Sequence, residues 1–249
     1  MCLIVVGWQV HPDFPLLLAA NRDEFHARPT APLGRWPEAP QIIGGRDLEA
    51  GGTWLGVTDN GRLAAVTNVR EPGMAKGTRS RGLLTRDFLL SGESAGDYAR
   101  RLDGAAYSGF NLLLGDGESL VYCSNRDGPP RALEPGIYGL SNHRLDSPWP
   151  KLQTARRKFA DAIDQLPDET AFFELLADKS IVADADLPQT GVPLDWERLL
   201  SAVFVHSAAY GTRASTVLRQ GADGSIRLHE RSFGPDGRLL QSSVISTAV

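Results

Sequence analysis

Cysteine is scarce in this chain of 249 residues: Cys2 and Cys123 are the only two. They allow one bridge at most, too few for a disulfide framework or a metal knuckle, and a reducing, cytoplasmic setting fits them best. Long hydrophobic runs are missing as well. No stretch of about eighteen apolar residues occurs, and no basic segment leads into a signal-like apolar region at the start, so no integral membrane segment and no export are expected. Neither charge sign dominates, because 26 Lys and Arg oppose 30 Asp and Glu for a net charge of −4. That balance gives no general pull toward phosphate backbones or anionic membrane surfaces, so nucleic acid is not an expected partner. The five histidines, His11, His26, His143, His206 and His229, are scattered without metal-ligand spacing. They read as surface or packing residues, and no bound metal is expected. Repeats, low-complexity tracts and linkers are absent too, which predicts one domain over residues 1–249.

What is present alternates between strand and helix signals. Leu3 to Gly7, Pro15 to Ala20, Thr53 to Thr58 and Leu63 to Val69 read as strands, with Asn60-Gly61 marking a hairpin. Residues 25–52, rich in proline and glycine, read as a long loop framing a site. Ser80 and Ser94 are candidate caps of two helices, the first carrying Leu83, Leu84, Phe88 and Leu89 on one side. Strands return at Phe110 to Leu114, Leu120 to Ser124 and Gly136 to Leu140. A helix from Pro150 places Leu152, Ala155, Phe159, Ala162, Ile163 and Leu166 at 3.6-residue spacing, and another after Asp168 buries Phe172, Phe173, Leu175 and Leu176. Ala202 to His206, Ser215 to Arg219, Ile226 to Arg231 and Leu239 to Ile245 complete the strands. This order predicts an α+β domain of layered sheets with helices on the outer faces.

Chemistry concentrates near the start. Removal of Met1 would place a thiol and a free α-amine on the same residue, Cys2, and methionine aminopeptidases generally act before a residue this small. A terminal amine serving as base for its own side chain is a known route to covalent catalysis. The plainer alternative is a small buried hydrophobe at the head of Leu3-Ile4-Val5-Val6. Asn21-Arg22-Asp23-Glu24 ends the next strand, and antiparallel pairing brings that end beside Cys2. There a guanidinium favours thiolate and a carboxylate can orient an amine. The alternative is an exposed turn with an ion pair of little worth.

Further blocks follow in order: Arg28-Pro29, Gly51-Gly52-Thr53-Trp54-Leu55-Gly56, Thr67-Asn68, Ser80-Arg81-Gly82 and Gly109-Phe110-Asn111-Leu112. After them come Asn125-Arg126, Tyr138-Gly139-Leu140-Ser141-Asn142, Pro148-Trp149 with Lys151, Tyr210-Gly211-Thr212-Arg213 and Glu230-Arg231-Ser232. Together with Met1-Cys2-Leu3-Ile4 and the Asn21 to Phe25 block, they resemble the NRDE family, whose eukaryotic members are called TANGO2 (transport and Golgi organisation) proteins. That family in turn is similar to N-terminal nucleophile (Ntn) hydrolases, which are four-layer αββα sandwiches. Within them it is most like the branch with a terminal cysteine that cleaves bile-salt and penicillin V amides. The resemblance implies a catalytic set of Cys2, Arg22, Asp23, Asn68, Asn142 and Arg213, although Arg22 and Asp23 are adjacent here where the acylases space them. In this set Cys2 attacks an acyl carbonyl, Asp23 holds the amine, the two arginines supply positive potential, and the asparagine amides donate to an oxyanion. Asn21, Trp54, Phe110, His143 and Trp149 are the candidate substrate-binding residues, the aromatic ones suited to an apolar cleft. Two functions are implied. One is hydrolysis of an amide or thioester in a small acyl substrate. The other is carriage of haem or an acyl lipid, haem being a transported ligand and no cofactor being required.

Overall fold

The opening apolar run is a strand buried on both faces. In the computed structural model, which describes residues 2–247, β1 (Cys2–Trp8) sends Ile4, Val6 and Trp8 to one side and Leu3 and Val5 to the other. A period of two does the same on β2 (Leu16–Phe25), with Leu16, Leu18 and Ala20 opposed to Leu17 and Ala19. The expectation concerning Met1 lies outside the described residues.

The elements that follow are β3 (Thr30–Trp36), β4 (Ala39–Asp47), β5 (Leu55–Thr58), β6 (Leu63–Asn68), α1 (Gly82–Leu90) and α2 (Ala95–Arg101). Then come β7 (Phe110–Gly115), β8 (Leu120–Ser124), β9 (Arg131–Ala132), β10 (Gly136–Leu140), α3 (Pro150–Ile163) and α4 (Thr170–Leu176). The chain closes with α5 (Leu194–Leu199), β11 (Tyr210–Gln220), β12 (Ile226–Phe233) and β13 (Leu239–Thr247). One six-stranded sheet runs β10-β1-β2-β11-β12-β13 and a seven-stranded sheet runs β3-β4-β5-β6-β7-β8-β9, all ladders being antiparallel.

Three apolar clusters make four layers. Ile4, Val6, Leu18, Leu55, Leu63, Leu113 and Leu218 fill the space between the sheets. Leu84, Phe88 and Tyr98 of α1 and α2 cover the outer face of the seven-stranded sheet against Ile42, Val66 and Leu112. Leu152, Ala155, Phe159 and Ala162 of α3, with Phe172 and Phe173 of α4, cover the six-stranded sheet against Leu3, Val5, Leu17 and Val217. Each fully buried leucine or phenylalanine contributes roughly 2 kcal/mol. The architecture is the αββα sandwich expected of an α+β chain.

Three stretches differ from expectation. Residues 25–52 hold the β3–β4 hairpin, in which Pro32 sits on the edge strand of its sheet, the place where a missing N–H is tolerated. The ladder there slips between Ala31 and Gly34, so a regular alternation was never visible. Ala202 to His206 forms no strand. Its apolar residues are buried because it is a loop packed inside, with Phe204 N–H on Asp178 O at 2.7 Å. The short helix α5 carries exposed Leu194 and Trp196 and lacked an apolar stripe to announce it.

Candidate active site

Antiparallel register sets Cys2 directly opposite Arg22, and Leu3 opposite Asn21. Strand parity then sorts the polar block. Arg22 shares the inter-sheet face of Leu18 and Ala20, whereas Asn21 and Asp23 share the helix-side face of Leu17 and Ala19. One strand end therefore puts a guanidinium on one face of the sheet and a carboxylate on the other, with Cys2 paired to it across the ladder. A cleft of about 570 Å³ opens there, and Cys2, Arg22, Asp23, Thr53, Trp54, Asn68, Arg81, Trp196 and Tyr210 are among the residues that line it.

Arg22 is held from three directions. Its Nη1 donates to Thr30 Oγ1 at 3.2 Å, its Nη2 lies 3.8 Å from Glu24 Oε2, and its guanidinium sits 4.2 Å from the centre of the Trp54 ring. Trp54 in turn lies on the bare backbone of Gly45, where an added Cβ would stand 2.2 Å from the indole. Gly52 permits a similar approach to the start of α1, its missing Cβ being 2.2 Å from Gly82 O. That contact lets Thr53 N–H donate to Gly82 O at 3.2 Å and fixes the wall that carries Trp54.

Asp23 is 2% exposed, and burial pushes its carboxyl up from the usual range, opposed by the charge of Lys151 and a hydrogen bond from Thr212. The Thr212 hydroxyl donates to Asp23 Oδ1 at 2.7 Å while accepting Val205 N–H at 2.9 Å, so its proton is committed to the carboxylate. The Tyr210 hydroxyl donates to Asp23 O at 3.0 Å. Cys2 is half-buried, and burial raises its thiol. The charge of Arg22 and a hydrogen bond from the Asp23 backbone N–H act in the opposite direction.

Asn142 is fully buried and does not line the cleft. Its Nδ2 donates to Asn68 Oδ1 at 3.0 Å, which settles the orientation of the Asn68 amide. Asn68 lies at the end of β6 on the cleft wall. Farther out, Arg28, Lys76, Arg79 and Arg81 line the same cleft. Arg28 is spent on Asp47 at 2.8 Å, whereas Arg81 Nη1 donates to a carbonyl, Gly109 O, at 3.1 Å.

The family model for Transport and Golgi organisation 2, TANGO2, matches residues 1–235. The bovine and human homologues of Transport and Golgi organization protein 2 are each 36% identical to this chain over 258 residues, covering 94% of it and 93% of theirs. The Drosophila melanogaster protein is 28% identical, over 94% of this chain and 92% of its own. This chain belongs to the TANGO2 family. Two solved structures are similar to this TANGO2-family fold. The C2A mutant of the Clostridium perfringens conjugated bile acid hydrolase aligns with a TM-score of 0.56 at 9% identity, covering 98% of this chain and 92% of that one. A Caenorhabditis elegans orthologue of N-acylethanolamine-hydrolyzing acid amidase aligns at 0.51 with 15% identity, covering 87% and 92%. The TANGO2 chain thus has the Ntn-hydrolase fold.

The TANGO2 fold brings Cys2, Arg22, Asp23, Trp54 and Asn68 to one cleft and leaves the other candidate positions outside its lining. Asn21 is spent within the protein: its Nδ2 donates to Leu176 O and Val203 O, and its Oδ1 accepts from Ser215. Arg213 binds the carbonyls of Phe25, His26 and Arg28, staking down the turn after β2, and borders a separate 160 Å³ hollow. Phe110 is core under α1 and α2. Trp149 is buried beneath α3, with exposed His143 stacked against it at 5.9 Å. Thr212, Tyr210 and Lys151 have no role among the expectations drawn from the sequence. For Lys151 a signal existed, since a lysine one turn before Ala155 and two before Phe159 continues the buried stripe of α3.

Proposed function

We propose that this chain is an N-terminal-cysteine hydrolase of amide or thioester bonds in small acyl substrates. The observation that supports it most is the placement of Cys2 in an open cleft, between a stacked Arg22 and a buried Asp23 to which Thr212 donates. The two solved structures compared above are, by name, a conjugated bile acid hydrolase and an N-acylethanolamine-hydrolyzing acid amidase. No helix among the described residues is long and apolar enough to cross a membrane.

In this reading Met1 is removed and the freed α-amine of Cys2 is the base. The raised thiol does not need to stand as thiolate, because the amine takes its proton as sulfur bonds to the acyl carbon. Asn68 Nδ2 donates to the oxyanion, with Asn142 holding the other end of that amide. Collapse of the tetrahedral intermediate breaks the bond to the leaving nitrogen or sulfur, which takes the proton back from the ammonium. Water then attacks the Cys2 thioester, again giving a proton to the amine, and releases the acid. Arg81 and Lys76 suit a substrate with a negatively charged group.

The test is acylation by p-nitrophenyl acetate. The native protein releases one rapid equivalent of nitrophenolate and gains an acetyl group on Cys2, and Cys2→Ala does neither. Equal release by both proteins would leave the cleft as a binding site only, for haem or an acyl lipid, which a carrier would hold without a freed amine.

A further inference from the structure

Asp23 does not stand alone behind the cleft. Lys151, in the first turn of α3, is 6% exposed, and its Nζ donates to Leu200 O at 2.8 Å, a contact that leaves two of the three ammonium protons to other uses. Arg70 lies in the same interior, bound through Nη1 to Glu197 at 3.0 Å and set over Trp149 at 4.9 Å. Leu200, whose carbonyl accepts from Lys151, packs with Val205 and Tyr210, and both are tied to Asp23, Tyr210 through its own hydroxyl and Val205 through Thr212. Arg70 and Glu197 are already paired with each other, so the Lys151 charge sits behind the carboxylate in addition to that of Arg22. A buried lysine is costly, and the position lies on an apolar stripe where leucine or methionine would pack without penalty. Residues that break the pattern of their own element in this way are concentrated at functional sites.

We propose that Lys151 is a positioning residue for acyl transfer, a buried countercharge behind the cleft that supports the Asp23 carboxylate in holding the Cys2 amine. The inference rests on the reading of Cys2 as nucleophile. Its physical basis is a contest at Asp23. Burial alone drives a carboxyl toward its neutral form, which would offer an amine a poorer partner, and a nearby ammonium opposes that drive. The groups that act on Lys151 are Asp23 of β2, Cys2 of β1 and Arg70 after β6, with burial lowering its own ionisation to about 8. Lys151 thus stays charged through neutral pH and begins to lose its proton just above it. Arg70 faces Glu197 of α5 and Tyr210 of β11 in addition to Asp23.

The measurement is the pH profile of the nitrophenolate burst from p-nitrophenyl acetate, for the wild type and for Lys151→Gln, Lys151→Met and Lys151→Arg. Glutamine keeps a donor for Leu200 O without the charge, so it separates charge from hydrogen bonding if the methionine variant does not fold. Loss of the charge moves the acid-side midpoint up by about one pH unit, a roughly fivefold slower burst at the wild-type midpoint and about tenfold well below it, and arginine restores it. In an Asp23→Asn background, Lys151→Gln changes nothing further. An unmoved midpoint in Lys151→Gln, or an added effect in the double variant, overturns the inference while leaving Cys2 as nucleophile. Absence of any burst in the wild type removes the underlying reading as well.

Discussion

Each residue of the polar run after β2 has a fate set by strand parity. Asn21 and Arg22 are neighbours in sequence, yet one is consumed by Leu176, Val203 and Ser215 and the other stacks on Trp54 beside the thiol. Asn68 and Asn142 divide their labour in the same way, the first on the cleft wall and the second behind it. Replacing Asn68 by alanine is expected to slow turnover about a hundredfold or more, the cost of one oxyanion donor, with little change in KM. Steady-state kinetics on an acyl substrate measures the split, and a rise in KM alone would reassign Asn68 to binding. The positions of Cys2, Arg22 and Asp23 were legible in the sequence because one hairpin fixes them. Thr212 and Tyr210 were not, because their partner Asp23 lies 189 and 187 residues away in the chain. Lys151 was readable only as a charge on an apolar stripe, a signal that names no partner.

At the scale of elements, the β3–β4 hairpin was hidden by the residues that make it useful. Gly44 and Gly45 read as loop, but Gly45 is the floor on which Trp54 lies, and Trp54 is the ring on which Arg22 rests. Gly45→Ala would force the indole away, since a Cβ at 2.2 Å cannot be accommodated. Overpacking of this kind costs about 1 to 3 kcal/mol. The expected outcome is a lowered Tm together with altered tryptophan fluorescence and a slower Cys2 burst. A change in Tm with the burst untouched would mean that Arg22 does not depend on the stack. The helices were easier to read. Pro150 does open α3, and Ser94 does cap α2, its Oγ accepting Asp97 N–H at 3.1 Å. The Ala202 to His206 run misled because a buried loop, here with one isolated bridge from His206 to Gly211, has the same apolar composition as a strand.

Across the whole molecule, the αββα order follows from strands with two apolar faces, and such strands demand cover on both sides. The space between the sheets also holds charge at its rim. Glu230 is 3% exposed, its Oε1 accepting Leu33 N–H at 2.7 Å and its Oε2 accepting from Thr216 at 3.2 Å, and burial raises its pKa. A carboxyl with a higher pKa folded than unfolded binds its proton more tightly in the native state. Its contribution to stability is therefore full below the unfolded value of about 4.3 and is lost as pH rises through the folded value. Glu230→Gln, which stays neutral, should match the wild type in Tm near pH 4 and exceed it at pH 8. Equal Tm at both values would place Glu230 in solvent-like surroundings. The central claim concerns the cleft on the far side of Arg22 and Trp54 from Glu230, where a freed amine and a thiol on one residue come together. An intact-mass spectrum of protein purified from its native cells and treated with p-nitrophenyl acetate tests it most directly. The account predicts a chain without Met1 that carries one acetyl group on Cys2, and a chain that retains Met1 would contradict it.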